Sequence, residues 1–140
     1  IKVVKKFRKN FKFIEESYNA NPLSMSSAIN NIRQYKIKNN SKKIALLGDM
    51  MELGSKSKRL HKELSKVVNE SDLDKVFVYG KHIRETFKHI LKHKKGKIFN
   101  NLIEAHDYFK KFINNNDLLM IKGSNATGLN KFSINLKKDN

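Results

Sequence analysis

Cysteine is absent from all 140 residues. That excludes a disulfide framework, a thiolate metal site and a cysteine nucleophile, and it fits a reducing compartment. No apolar run approaches the roughly 20 residues of a membrane span, and no charged-then-apolar signal peptide opens the chain. The G-x-x-x-x-G-K-[ST] and G-x-G-x-x-G phosphate loops are missing, as is a G-x-S-x-G elbow. Arginine is scarce, confined to Arg8, Arg33, Arg59 and Arg84. Acidic residues number 13 against 30 lysines and arginines, for a formal net charge of +17. A charge of that size raises nucleic acid or an acidic partner as a ligand class. Against it, lysine is spread along nearly every segment, and arginine, the preferred reader of bases and phosphates, is rare. The chain opens on Ile1 and is expected to be a piece of a longer protein.

Hydrophobic residues make up 39% of the chain, enough for one folded domain over 1–140. Residues 1–11 carry Val3, Val4, Phe7 and Phe11 among lysines and read as either a linker or a first strand. Phe13-Ile14 begins a short strand that ends in Glu15-Glu16. Asn21 is placed to cap a helix and Pro22 to occupy its first position. Met25, Ala28, Ile29 and Ile32 then line one helical face. Ile44–Leu47 is a continuous apolar run, the pattern of a strand buried on both faces. A helix follows with Leu60, Leu64, Val67 and Val68 on one face, capped by Ser55 or Ser57. Val76–Tyr79 is the next buried run. The spacing of Ile83, Phe87, Ile90 and Leu91 predicts another helix, and Leu102, Ala105, Phe109 and Phe112 a further one after Ile98-Phe99. Leu118–Ile121 is the last strong strand. Residues 128–136 read as either a helix or a strand.

Strands thus alternate with helices, which predicts an α/β fold with a mostly parallel, Rossmann-like sheet. Ligands of such sheets sit beyond the carboxyl ends of the strands. Those ends are 17–21, 48–54, 80–82 and 123–127, and they hold most of the Gly, Asn, Ser and acidic residues outside helices. Taken singly they are ambiguous. Glu15-Glu16 is either a solvated strand end or a pair of acceptors for ribose hydroxyls or a cation, and Asp49 with Glu52 has the same ambiguity. Gly123-Ser124 after Lys122 is a plain turn or an anion cradle. His89 and His93 have the i, i+4 spacing of two ligands, but no carboxylate accompanies them, so no metal site is assigned. His61 and His106 read as solvated or packed helix residues.

Three strand-end loops agree with one another. Ser17-Tyr18-Asn19-Ala20-Asn21-Pro22 with Ser24-Met25 resembles the D-S-Y-N-A-N-P-x-S-M motif of the Mur ligases. Residues 47–54, Leu-Gly-Asp-Met-Met-Glu-Leu-Gly, resemble L-G-D-M-x-E-L-G, and Lys122-Gly123-Ser124 resembles the later K-G-S. The resemblance covers essentially the whole chain, as the family's C-terminal domain. It implies a cytoplasmic, three-domain enzyme of peptidoglycan synthesis that joins D-alanyl-D-alanine to UDP-N-acetylmuramoyl-tripeptide with ATP and Mg²⁺, through an acyl phosphate. It also implies that the N-terminal and central ATPase domains lie outside these residues, so that the isolated chain holds no catalytic residue and is inactive.

Carried over by position, Glu16, Tyr18, Asn19 and Asn21 are the expected ATP contacts. Asp49, Glu52, Lys122, Gly123 and Ser124 are the expected substrate contacts. Glu16 stands where the family has aspartate, and Asn125 where arginine is common. Arg8 is the nearest arginine to the expected hinge, without the glycine that precedes it in the family. These departures leave a degraded ligase as a further reading. The competing reading from another class is a basic α/β module for nucleic acid or acidic partners.

Overall fold

The computed structural model describes residues 1–16 and 19–138. Among the described residues six strands and five α-helices occur in the order β1 (Lys2–Lys6), β2 (Lys9–Glu15), α1 (Pro22–Asn30), β3 (Lys43–Gly48), α2 (Ser57–Glu70), β4 (Lys75–Tyr79), α3 (Arg84–Lys88), β5 (Lys95–Phe99), α4 (Leu102–Phe112), β6 (Leu118–Lys122) and α5 (Leu129–Lys137). They form one sheet in the order β1-β2-β6-β3-β4-β5. All neighbours are parallel except β1 and β2.

The register explains why the central runs are continuously apolar. Ile44 pairs with Leu119, Ala45 with Met120 and Leu46 with Ile121. Alternate side chains leave opposite faces of a strand. Ala45, Leu47, Val76, Val78, Leu118 and Met120 therefore join one core, packed under α1 and α2 with Met25, Ile29, Leu64 and Val68. Ile44, Leu46, Phe77, Leu119 and Ile121 join a second core beneath α4 and α5. In that second core Phe77 meets the rings of Phe99, Tyr108, Phe109 and Phe112 at 5.1–5.5 Å. Aromatic pairs in such geometry are worth about 0.5–1.5 kcal/mol beyond their burial.

Several expectations are settled or corrected by this arrangement. Residues 1–11 supply β1, a turn and the start of β2 in an antiparallel hairpin paired from Lys2 to Phe13, so β2 starts at Lys9 and the sheet is not wholly parallel. Its two-residue turn, Phe7-Arg8, has φ of +56° and +61°. Both-positive turns usually carry Asn-Gly. Here Phe7 is buried and its ring meets His106 edge-on at 5.2 Å, so core packing takes the place of the usual turn chemistry. Asn21 caps α1 as expected, in a reciprocal box in which Ser24 N–H donates to Asn21 Oδ1 (2.8 Å) and Asn21 N–H to Ser24 Oγ (3.0 Å). Neither Ser55 nor Ser57 caps α2: a 3-10 turn, Gly54–Lys56, runs straight into it. The helix expected to carry Ile83 through Leu91 is only α3. Ile83 and Ile90 are buried outside it, while Leu91 is exposed. The tail is a helix, α5, whose Leu129, Phe132 and Leu136 complete the second core. No helix among the described residues is long and apolar enough to cross a membrane.

Candidate functional site

The chain leaves β2 toward β3 on one side, steps outward through β4 and β5, then returns through α4 to place β6 between β2 and β3. The direction of winding changes between β6 and β3. At that point the strand ends touch: an added Cβ on Gly123 would lie 2.7 Å from Gly48 Cα, and one on Gly48 would lie 3.3 Å from Gly123 Cα. Glycine at 123 is what lets β3 and β6 end this close together, and at Gly48 an added Cβ would also meet the Leu129 side chain.

Asp49, the residue after β3, ties three strand ends together. Its carbonyl accepts Ser124 N–H after β6 (2.9 Å). Its Oδ1 accepts the N–H groups of His82 (2.9 Å) and Ile83 (2.7 Å) after β4. Gly80 has φ +137°, and a side chain there would collide with the Asp49 carboxylate. Asp49 is itself buried. Beneath it, His61 of α2 is fully enclosed. His61 Nδ1 lies 2.8 Å from the Ser57 carbonyl, which makes Nδ1 the protonated nitrogen. The free Nε2 accepts Met50 N–H at 3.0 Å. Burial holds the His61 pKa below the usual histidine value. The Ser57 carbonyl and the Asp49 charge oppose that shift, and His82, whose ring lies 5.8 Å away, adds to it.

Above these strand ends opens a cleft of about 630 Å³, lined by Asp49, Met51, Tyr79, Gly80, Lys81, Arg84, Phe99, Asn100, Ala126 and Thr127. Arg84 donates to Asn100 Oδ1 at 3.0 Å, which holds the guanidinium across the cleft between the ends of β4 and β5. The rim is the one expected from strand polarity. Lys81, Arg84 and Asn100 were not singled out from the sequence. No motif marks them, and the signal that could have found them is their position one to five residues beyond a strand end.

The expected contacts fall in two places. Asp49 lines the cleft, and Glu52 lies in the same loop, exposed, with φ +61°. Lys122 is buried at the end of β6, and its ammonium lies 3.7 Å from Glu16 Oε2, joining the ends of β6 and β2. Gly123 packs on Gly48, and Ser124 Oγ accepts Ala126 N–H at the start of a short turn. Asn19 is exposed, with its carbonyl accepting from Ser24 Oγ (2.9 Å), and Asn21 Oδ1 is occupied by the helix cap. Tyr18 lies outside the described residues. Among the described residues no group of three His, Asp or Glu side chains is placed to hold a metal. The expectation that no carboxylate accompanies His89 is corrected: Glu85, four residues earlier, lies 3.9 Å from it.

The family model for the Mur ligase, glutamate ligase domain, matches residues 1–125. The UDP-N-acetylmuramoyl-tripeptide–D-alanyl-D-alanine ligase of Bacillus subtilis is 33% identical over 119 residues, covering 83% of this chain and 26% of that protein. The enzyme of the same name from Rickettsia prowazekii is 30% identical over 122 residues, covering 87% of this chain and 26% of its own length. The chain thus spans about a quarter of the relatives it matches. Among solved structures, the MurF ligase of Thermotoga maritima in complex with ADP superposes with a TM-score of 0.74 at 23% identity, covering 91% of this chain and 28% of that one. MurF of Acinetobacter baumannii gives 0.71 at 25% identity, covering 89% and 28%. These matches support the ligase reading and not the basic binding module. The chain belongs to the Mur ligase family, as its glutamate ligase domain.

Proposed function

We propose that this chain is the C-terminal domain of an ATP-dependent, cytoplasmic ligase that adds D-alanyl-D-alanine to UDP-N-acetylmuramoyl-tripeptide in cell-wall synthesis. The observation that carries this is the joint one. Three motif-bearing strand ends converge on one edge of the sheet, and the named relatives with 30% and 33% identity share that activity. A carboxylate is a poor electrophile. ATP converts it to an acyl phosphate as a tripeptide oxygen attacks the γ-phosphorus and ADP leaves. The dipeptide amine then attacks the acyl carbon, phosphate departs, and the amine gives up a proton. Holding the reactants in line supplies much of the rate.

In this reading Glu16, Tyr18, Asn19 and Asn21 serve as ATP contacts, the cleft by Asp49 receives the incoming dipeptide, and Glu52, Lys122, Gly123 and Ser124 are further substrate contacts, each carried over from the family by position. Mg²⁺ and the phosphates belong to the central domain. Arg84, held by Asn100, is the cation best placed to pair with the dipeptide carboxylate. A planar guanidinium suits a carboxylate because it can donate two parallel bonds.

Arg84→Ala in the complete protein is therefore expected to raise KM for the dipeptide about 10- to 100-fold, the loss of one charge-assisted pair. KM for ATP should stay near that of the unmodified protein. Steady-state kinetics with each substrate varied in turn make the check. An unchanged dipeptide KM would remove Arg84 from the site.

A further inference from the structure

The interior of α2 holds a titratable side chain that the proposed chemistry does not use. His61 is fully buried, yet its ring reaches the backbone of the cleft loop through Met50 N–H. The next residue back, Asp49, receives both N–H groups of the 82–83 turn. That turn carries Lys81 on one side and Arg84 on the other. A second link runs the other way, because Thr86 Oγ1 of α3 donates to the His61 carbonyl at 2.6 Å. The imidazole thus sits at the base of a chain that ends at the two cations of the cleft.

We propose that His61 is a positioning residue for the cleft: its unprotonated Nε2 receives Met50 N–H and fixes Asp49, and through Asp49 the turn that carries Lys81 and Arg84. The arrangement needs one tautomer. Nδ1–H donates to the Ser57 carbonyl, so a proton added at Nε2 places two donors face to face and ends the Met50 contact. The charged and titratable groups facing the ring are Asp49 at the end of β3 and His82 in the turn after β4. Asp49 favours the added proton and His82 opposes it, while enclosure of the ring opposes it most.

The sign of the pH effect follows. The pKa in the closed state is depressed, so the stabilisation is fully present above the open-state value of about 6.5 and is lost as pH falls below it. Between the open-state and closed-state values the opening equilibrium changes about tenfold per pH unit.

The proposal rests on the ligase reading only for what the cleft binds. Its test is amide hydrogen exchange read by NMR on the 140-residue chain between pH 7.5 and 5, with protection normalised for the intrinsic rate. Protection at Met50, His82 and Ile83 is expected to fall together as pH drops below about 6.5, while remaining below that of Met120 in β6. His61→Gln keeps an acceptor oxygen near the Nε2 position without a titrating ring. In that variant the three amides should hold protection across the whole range. His61→Leu should leave them weakly protected at every pH. The proposal is overturned if His61→Gln retains the pH dependence, or if Ile83 stays protected while Met50 loses protection. It is also overturned if Met50 is never less protected than Met120, since the loop would then open only with the whole fold. No ligation is measured, so this result is independent of the fate of the ligase reading.

Discussion

Asp117→Ala is expected to destabilise the fold by about 3–5 kcal/mol, the usual cost of breaking a buried ion pair from one side. In a domain of this size that lowers the melting temperature by roughly 10–15 °C. Asp117 is fully buried just before β6. Its Oδ1 accepts Lys42 N–H (2.9 Å), and its Oδ2 accepts Lys42 Nζ (2.6 Å) and Asn114 N–H (2.8 Å). Its carbonyl accepts Lys12 N–H in β2 (2.8 Å). One residue thus joins the entries of β2, β3 and β6 at the sheet edge opposite the cleft. Asn is expected to be a poor substitute. An amide nitrogen at Oδ2 would face two donors, and one at Oδ1 would face a third. Lys42→Ala should cost less, because both backbone donors remain. Urea unfolding of the three variants is the check, and an Asp117→Asn variant as stable as the unmodified chain would refute this account of the clamp.

Asp49→Ala is the second large effect, at about 3 kcal/mol. Two hydrogen bonds to a charged acceptor are lost, each worth about 1.5–3 kcal/mol, and the His82 and Ile83 N–H groups are left without that partner. The turn bearing Lys81 and Arg84 loses its anchor, so under the proposed function dipeptide binding by the complete protein should weaken along with stability. Asp49→Asn can keep one acceptor oxygen facing both N–H groups and is expected to recover most of the stability. Thermal unfolding separates the two variants. An alanine variant within about 0.5 kcal/mol of the unmodified chain would place Asp49 among ordinary surface positions. The sequence motif marked Asp49 as a substrate contact. The geometry assigns its Oδ1 a prior task, the organisation of the cleft floor.

Much of the fold is legible in the residues because the central strands are buried on both faces. Ile44–Leu47 and Leu118–Ile121 need no alternation to be recognised, and their strand polarity is enough to locate the rim. The Asn21-Pro22 cap is equally legible, since its chemistry is local. The first hairpin is not. Phe7-Arg8 makes a turn that its residue types disfavour, and only burial of Phe7 against the second core compensates. The helix at α3 is legible but its shortness is not: the helical period of Ile83, Phe87, Ile90 and Leu91 runs on past Lys88, where the helix ends, and Ile83 and Ile90 are buried from just outside it. Within the site, Asp49 was visible through its motif. Arg84 and Asn100 come together only when β4 and β5 pair, and His61 is linked to Met50 across eleven residues. Such contacts are tertiary, and no local pattern encodes them.

The proposed function makes this domain part of a ligase that joins D-alanyl-D-alanine to the UDP-linked tripeptide at the expense of ATP. It is tested most directly by incubating the complete protein that carries this chain with ATP, Mg²⁺, UDP-N-acetylmuramoyl-tripeptide and D-alanyl-D-alanine, and following the products by mass spectrometry. The expected result is UDP-N-acetylmuramoyl-pentapeptide formed in step with ADP and phosphate, with none from residues 1–140 alone. Absence of pentapeptide from the folded complete protein, or its formation by the isolated chain, would contradict the account.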